Sequence, residues 1–481
     1  MKTSLELINE FEKTFQVEKW MVNDIHIWPA IRIPLMTAWE QSLYYKNTNI
    51  HNKKQGLYCR VFDELKQLLL AIYSYKKPGA GIYEVGVWGL DVERVMIQDK
   101  YYSPYGDALR DLEFKNKLLC LDLTIRERRK SHYPSADITL GYFINRYAAK
   151  IYSIFKGGED VKAPLEESRE WCKDRGLSVT GLTSNNLVYQ YTLLNFVKNY
   201  FKRIIQKNQM QICFKVSWYD TIGMALSWAS KDMKIPCFDL QHGIAGSTKS
   251  RAYSSWSRVP KSGYKLIPDG FWSWSERDAK EIESWSSGAV NPVKVFVGGN
   301  VWNRVWKEGK LSIKPRCKHV FESNNINILY TLQGEDVTEL LVDLIKNSPK
   351  EWNWMLRCHP MRMDSISDIN QKIKSIDTKA EVYVINTTKE FLPNILMNVD
   401  IHISGWSAVV FDAKDFGVKS ILCHPSSKIL FKDMLSRNEV VYMDNTSQII
   451  HEIQENIENY KEKVKRIKYP SFNKFLESHS V

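Results

Sequence analysis

The sequence predicts an α/β protein built as two domains in tandem, each with its own parallel sheet. Three observations carry that expectation. The chain has 481 residues, more than one ordinary core accommodates. In its C-terminal half, six strand-like runs within about 120 residues are each followed by a helical pattern. In its N-terminal half, apolar runs at 118–123, 212–217, 237–242, 271–275 and 293–299 are separated by helical patterns such as Leu187–Lys207 and Thr221–Lys231. Strands alternating with helices pair in parallel, because a crossover helix returns the chain to the same end of the sheet.

The elements follow in order. The first 60 residues read as mixed helix and loop. The N-terminal domain is expected to span 1–300, with a helical extension at its start. The polar stretch 301–325, with Lys307, Gly309, Lys310, Lys314 and Pro315, reads as a linker or crossover. The second domain spans 326–447. Its strands are NILYTLQ (327–333), WNWMLRCHP (352–360), EVYVIN (381–386), VDIHIS (399–404), KSILCH (419–424) and VVYMD (440–444). Helices are expected over Val337–Lys346, Ile366–Ile376, Phe391–Met397 and Ala408–Phe416. The remainder, 448–481, is a long final helix that packs back on the first domain.

Composition narrows the function classes. Hydrophobic content of 44% and charged content of 25% belong to a soluble globular protein. The N-terminus is an amphipathic pattern rather than a signal peptide, and no run approaches the length of a membrane span, so a cytoplasmic location is expected. The 8 cysteines stand apart without a CxxC pair, which suits reduced thiols and argues against zinc or a disulfide framework. A net charge of +12 fits nucleic acid, an anionic membrane surface or phosphorylated substrates. The basic residues are scattered and no nucleic-acid motif accompanies them, so no nucleic-acid partner is expected. Peripheral attachment to the inner face of the cytoplasmic membrane accounts for the charge.

Ligands of open α/β sheets bind outside the carboxyl ends of the strands, so the strand tips are the places to search. In the second half those tips carry Gln333 and Gly334, then Arg357 and His359, then Thr387, then Ser404-Gly405-Trp406-Ser407, and finally His424. Arg offers a planar fork to phosphate oxygens, and His donates to a phosphate or acts as an acid. Ser404, Gly405 and Ser407 stand directly before a helix, where free amides and hydroxyls bind phosphate; taken alone Ser407 reads as a helix cap, but beside Arg357 and His359 on a neighbouring tip the phosphate reading is preferred. In the first half, Gln241, His242 and Gly243 end one strand, Asp220 follows another, and Gly299 and Asn300 end a third. The glycine spacing after His242 is not GxGxxG, which excludes a dinucleotide fingerprint. No Asp-x-Asp pair ends a strand, so metal-independent chemistry is expected and no cofactor is assigned.

LQHG at 240–243, PDGFWSWSE at 268–276, GGN at 298–300, RCHP at 357–360 and SGWSAVVFDA at 404–413 occur in an order that resembles bacterial surface-polysaccharide glycosyltransferases of GT-B architecture. RCHP is similar to the His-Pro motif of CMP-sugar sialyltransferases and Kdo transferases. SGWSAVVFDA is similar to the Ser-rich segment of CDP-glycerol glycerophosphotransferases, and WPAIR at 28–32 resembles the N-terminal part of capsule-synthesis relatives. The likeness covers roughly 210–425. It implies two Rossmann-like domains facing a cleft, with a CMP-, CDP- or UDP-linked donor held by Arg357, His359, Ser404 and Ser407, and Gln241, His242 and Gly243 on the acceptor side. An inverting reaction needs a general base, for which His242 is the first candidate with Asp220 and Asp269 behind it, whereas a retaining mechanism frees His242 from that role. The acidic motif of the sialyltransferases and the Asp-Tyr-Ser-Ser form of the glycerophosphotransferase motif are both replaced here. The expected reaction is sugar transfer to a surface polysaccharide or lipid-linked glycan. Alditol-phosphate transfer from a CDP-alditol and a non-catalytic nucleotide- or glycan-binding role remain open beside it.

Overall fold

The computed structural model describes residues 2–44, 81–90, 94–123, 131–155, 160–243, 256–315, 321, 325–332, 337–359, 365–461 and 469–478. The chain divides into two compact units, residues 1–302 with 469–481, and residues 303–468.

The first unit is organised by a seven-stranded sheet. Its strands are β1 (Val85–Leu90), β2 (Leu118–Leu123), β3 (Ser135–Asp137), β4 (Ile212–Lys215), β5 (Cys237–Leu240), β6 (Gly270–Ser273) and β7 (Lys294–Val297). Every pairing is parallel and the order is β7-β6-β5-β4-β1-β2-β3. Sequence patterning misses β1, the strand about which the order reverses. Its run Val-Gly-Val-Trp-Gly-Leu is broken by two glycines. Gly86 has a packing reason, since a Cβ there lies 2.6 Å from the Met210 sulfur. Strands this deep are buried on both faces, as Ile212–Lys215 shows, so they lack the alternation that marks a half-exposed strand.

Helix Thr221–Met233 packs on β4 and β5, and helices Thr139–Phe155, Ser184–Asn208 and Thr221–Met233 pack in sequence against one another. Helix Ser4–Phe15 begins with a capping box between Thr3 and Glu6 and buries Glu12. Glu12 Oε1 accepts from Arg32 Nε at 2.6 Å and from Trp28 Nε1 at 3.0 Å, with none of the three side chains exposed to any extent. The WPAIR stretch therefore serves the core. A buried ion pair of this kind tolerates loss of neither partner.

The second unit carries a six-stranded sheet: β8 (Ile326–Thr331), β9 (Trp352–Arg357), β10 (Glu381–Tyr383), β11 (Ile401–Ser404), β12 (Lys419–Leu422) and β13 (Val440–Tyr442). All pairs are parallel, in the order β10-β9-β8-β11-β12-β13. Both units thus repeat the doubly wound pattern in which the chain runs outward to one edge and then returns to build the other. The α/β class with two Rossmann-like parallel sheets is what the sequence predicts.

Two boundaries differ from expectation. Residues 301–307 form a helix, Val301–Lys307, whose Lys307 ammonium binds the Asp415 carboxylate at 2.8 Å and whose Asn303 amide donates to Asp412 at 3.0 Å. The start of the supposed linker is thus a helix, of which Val301 and Trp302 belong to the first unit and Asn303–Lys307 to the second. The long final helix is also two. Thr446–Lys461 places Ile449, Ile453 and Ile457 at four-residue spacing in the second core. Phe472–Ser478 belongs to the first unit, where buried Phe472 meets the rings of Phe214, Phe238, Trp272 and Phe296 on β4 to β7 at 5.0–5.3 Å.

Candidate functional site

In the first unit the strand order reverses between β1 and β4, so the crevice for a ligand opens beyond their carboxyl ends. The chain leaves β4 through Val216 and turns at Ser217, whose φ of 65° is left-handed. That conformation costs a residue with a Cβ about 1–2 kcal/mol. Neighbours enforce it. The Trp218 amide donates to the buried Asp239 carboxylate at 2.8 Å, and the Gly223 amide donates to Asp220 at 2.6 Å, which caps helix Thr221–Met233. Gly223 admits no side chain, because a Cβ would stand 2.5 Å from the Ser217 carbonyl oxygen. Beneath the turn the fully buried Lys215 donates to the Gly223 carbonyl at 2.6 Å and to the Ser227 hydroxyl.

This turn faces His242, two residues beyond the end of β5. The Leu240 carbonyl accepts a hydrogen bond from the ring, and Nε2 lies 3.0 Å from the Tyr219 hydroxyl and 3.3 Å from Ser217 Oγ. The Tyr219 ring stacks on the imidazole at 5.7 Å. Burial pushes the imidazole down to about 4, so the ring is neutral at pH 7. A neutral ring that donates on one side accepts at Nε2 on the other. Asp220 lies on the same edge. Burial raises its carboxyl to about 8 against the opposing pull of the Gly223 amide and Lys215, and its engaged oxygen makes it a cap.

The other candidates of this unit hold the scaffold. Asp269 precedes β6 and so sits at the amino end of a parallel sheet whose carboxyl end carries His242. Its carboxylate accepts from the Cys237 amide at 3.0 Å and from Lys231 at 2.9 Å. The role of reserve base is therefore corrected to an anchor. Gln241 is buried, donating to the Gly243 carbonyl and Asp278 and accepting from the Trp274 amide. It shapes the loop and presents nothing to an acceptor. Gly243 is half-buried, with space around its Cα. Gly299 has φ 75° and its absent Cβ makes room for the Tyr469 ring, while the Asn300 side chain accepts from the Trp302 amide at 3.0 Å. Those two form the turn into Val301–Lys307.

In the second unit the order reverses between β8 and β11, and Thr331, Leu332 and Ser404–Ser407 stand at that point. Gln333 and Gly334 lie outside the described residues. The two serines do not leave their hydroxyls toward a ligand in the way the sequence suggests. Ser404 Oγ donates to the Thr331 carbonyl at 3.2 Å and accepts from the Ser407 amide at 3.1 Å. Ser407 Oγ accepts from the Val409 amide at 3.2 Å, and the Val410 and Phe411 amides bond to carbonyls of 407 and 408. The Ser407 hydroxyl is thus engaged by the first amide of helix Val409–Asp415, although the residue directly before that helix is Ala408. Gly405 lets His424 approach, its hypothetical Cβ lying 3.4 Å from that side chain.

Arg357 is also an anchor. Its Nη1 donates to the carbonyls of Thr387 at 3.0 Å and Glu390 at 2.7 Å, tying the tip of β9 to the end of helix Ile385–Lys389. Thr387 is fully buried inside that helix and donates to the Tyr383 carbonyl, so it is no strand tip and meets no phosphate. The sequence misses this because Val382 to Ile385 are β-branched or aromatic and read as a continuing strand. His359 is half-buried two residues past Arg357. Trp406 and His424, at the tips of β11 and β12, pack edge to face at 4.2 Å and are both half-buried. Behind them His402, wholly buried on β11, bonds Thr331 Oγ1 and Ser420 Oγ, each at 2.9 Å. The second unit therefore offers His359, Trp406 and His424 beyond the ends of β9, β11 and β12, on either side of the reversal, where the sequence argument placed more weight on Arg357 and the serines. Ser217 and Tyr219 are the residues sequence reasoning undervalued. Only the left-handed turn, invisible in the sequence, brings their hydroxyls to His242.

No family model matches the chain, and no curated protein matches it. Among solved structures it is similar to the UDP-GlcNAc 2-epimerase from Neisseria meningitidis bound to UDP-GlcNAc, at 13% identity and TM-score 0.48 over 82% of this chain and 99% of that one. It is similar to the UDP-GlcNAc 2-epimerase from Methanocaldococcus jannaschii at 12% identity and TM-score 0.42, covering 80% and 94%. It is also similar to the calicheamicin glycosyltransferase CalG4 at 10% identity and TM-score 0.38, covering 80% and 93%. Likeness at these scores is one of general chain path and carries nothing about substrate.

Proposed function

We propose that the protein is a metal-independent glycosyltransferase of GT-B type that moves a sugar from a nucleotide-activated donor to a surface polysaccharide or lipid-linked glycan. The observation that supports this reading most is His242: a neutral imidazole at the carboxyl edge of a doubly wound sheet, with Nε2 already bonded by hydroxyl groups. An acceptor hydroxyl in that position passes its proton to Nε2 as its oxygen attacks the anomeric carbon, and the donor phosphate departs with the bonding pair. The second unit holds the donor near the reversal between β8 and β11. There His359 is placed to donate to a nucleotide phosphate, Trp406 offers a ring face, and Arg357 fixes the tip that carries His359.

Release of free nucleotide from CMP-, CDP-, UDP- and GDP-linked sugars in the presence of a glycan acceptor and excess EDTA tests the reading. One donor is turned over by the wild type, and His242→Ala slows that turnover by roughly a hundredfold or more while its melting temperature stays within a few degrees. Wild-type rates in His242→Ala would remove the base from the scheme. Loss of activity in EDTA would bring in a metal, and a phosphodiester product would make the enzyme an alditol-phosphate transferase.

A further inference from the structure

At the amino ends of β1, β2, β4 and β5, the opposite end of the first sheet from His242, the first unit holds a cavity of about 550 Å³. That is the size of a small-molecule site, which spans about 300–1,000 Å³. Its floor is apolar. Val85 and Ile212 begin their strands there, Phe114 packs on the Phe214 and Phe472 rings at 5.5 and 6.1 Å, and Leu476 comes from the C-terminal helix. Its rim is polar. Glu84 and Lys117 pair at 2.8 Å and so cancel, and the half-buried Glu113 already has a partner. Lys115, Gln211 and Asn473 are exposed on the same rim, and their side chains have no partner among the described residues.

The turn that delivers Lys115 is strained. Arg110–Phe114 is a π-helical turn, a rare form that recurs at functional sites. Lys115 follows at φ 40° and ψ −115°, a conformation that glycine adopts freely and a residue with a Cβ does not. Arg110 holds the turn in place: it donates to the Leu118 carbonyl at 3.4 Å and to Asn116 Oδ1 at 3.0 Å, with its guanidinium over the Tyr133 ring. A turn that only reverses the chain is better served by glycine at this position. A lysine kept there, with its ammonium unpaired at a cavity wall, is accounted for by what the ammonium meets.

The unengaged groups define the ligand. One ammonium selects one negative charge. Two carboxamides, each both donor and acceptor, match the paired hydroxyls of a sugar. The apolar floor takes a ring face that carries only C–H groups. A pyranose with a carboxylate presents all three features. A nucleotide fits less well, because its several phosphate charges would meet a single free cation beside the Glu84 and Glu113 carboxylates. We infer that this cavity binds an acidic saccharide, with Lys115 on its carboxylate and Gln211 and Asn473 on its hydroxyls. The inference goes beyond the transferase reading and does not rest on it.

Saturation-transfer NMR on the full-length protein tests this with glucuronic acid, glucose and glucosamine. Glucuronic acid is expected to bind, glucose to bind about tenfold more weakly for want of the charge-assisted bond, and glucosamine more weakly still. Lys115→Gln keeps the Cβ and loses the charge, so it is expected to bring glucuronic acid to the level of glucose. Lys115→Gly is expected to do the same while raising the melting temperature, since it also removes the strain. Gln211→Ala/Asn473→Ala is expected to weaken both sugars with an unchanged melting curve, because both side chains are exposed. Absence of glucuronic acid binding, or equal binding of the three sugars, overturns the inference. Binding undiminished in the Lys115 and Gln211/Asn473 variants overturns it as well, because the sugar then sits elsewhere and the strained turn serves folding alone.

Discussion

Ser217 sits where two demands conflict, and its substitution separates them. Replacement by Gly removes the left-handed penalty and is expected to raise stability by about 1 kcal/mol, read as a higher melting temperature. It also removes a hydroxyl from His242, so catalytic turnover is expected to fall as stability rises. A variant that is both stabler and fully active would show that the turn is only a turn. Gly223→Ala is the counterpart, since its new Cβ meets the Ser217 carbonyl oxygen at 2.5 Å; it is expected to unfold the edge that carries His242. Histidine burial gives a pH signature at the same scale. His242 and His402 are held down to about 4 and about 3 by burial, below the ordinary 6.5. The unfolded chain therefore takes up protons first as the pH drops. Their stabilising contribution is whole above about 6.5 and is lost progressively as pH falls toward the folded values. His402→Gln is expected to flatten the decline of melting temperature between pH 6.5 and 4, and an unaltered slope would count against a neutral His402 in the native state.

At the scale of elements, strand tips prove informative in two ways that the sequence alone does not separate. Arg357 and His359 look equivalent in RCHP, yet Arg357 turns back to the carbonyls of Thr387 and Glu390. Arg357→Ala leaves those carbonyls without their donor and is expected to cost about 1–3 kcal/mol, lowering the melting temperature, whereas His359→Ala is expected to leave it nearly unchanged. Equal melting temperatures for the two variants would contradict the anchoring role. What was legible follows from burial pattern. Runs such as LLCLDL and ICFK are mostly apolar and buried, which marks them as strands, and the spacing of Ile449, Ile453 and Ile457 marks a helix without ambiguity. What was illegible depends on contacts distant in sequence. The glycine-broken β1 is a strand only because β2 and β4 flank it, and the Ile385–Lys389 helix forms where local β propensity points the other way. The hydroxyls of Ser217 and Tyr219 come to His242 through a backbone conformation that no residue type announces.

At the scale of the molecule, each unit is a doubly wound sheet with its own core, and the chain ends by returning to the first. Phe472 fills a gap among Phe214, Phe238, Trp272 and Phe296. A chain ending at residue 468 loses that ring and is expected to unfold its first unit several degrees lower, by roughly 3–5 kcal/mol of stability as for a buried Phe truncation, with the second unit's transition unmoved. A single unshifted transition would argue against the helix as a part of the first core. The most direct measurement for the whole scheme is a thermal-shift series with CMP, CDP, UDP and GDP on the wild type and on His359→Ala. One nucleotide is expected to raise the wild-type melting temperature, by an amount that grows with its concentration, and to do so far less in His359→Ala. If none of the four shifts the wild type at millimolar concentration, or if the shift survives intact in His359→Ala, the donor site placed at the reversal of the second sheet is contradicted.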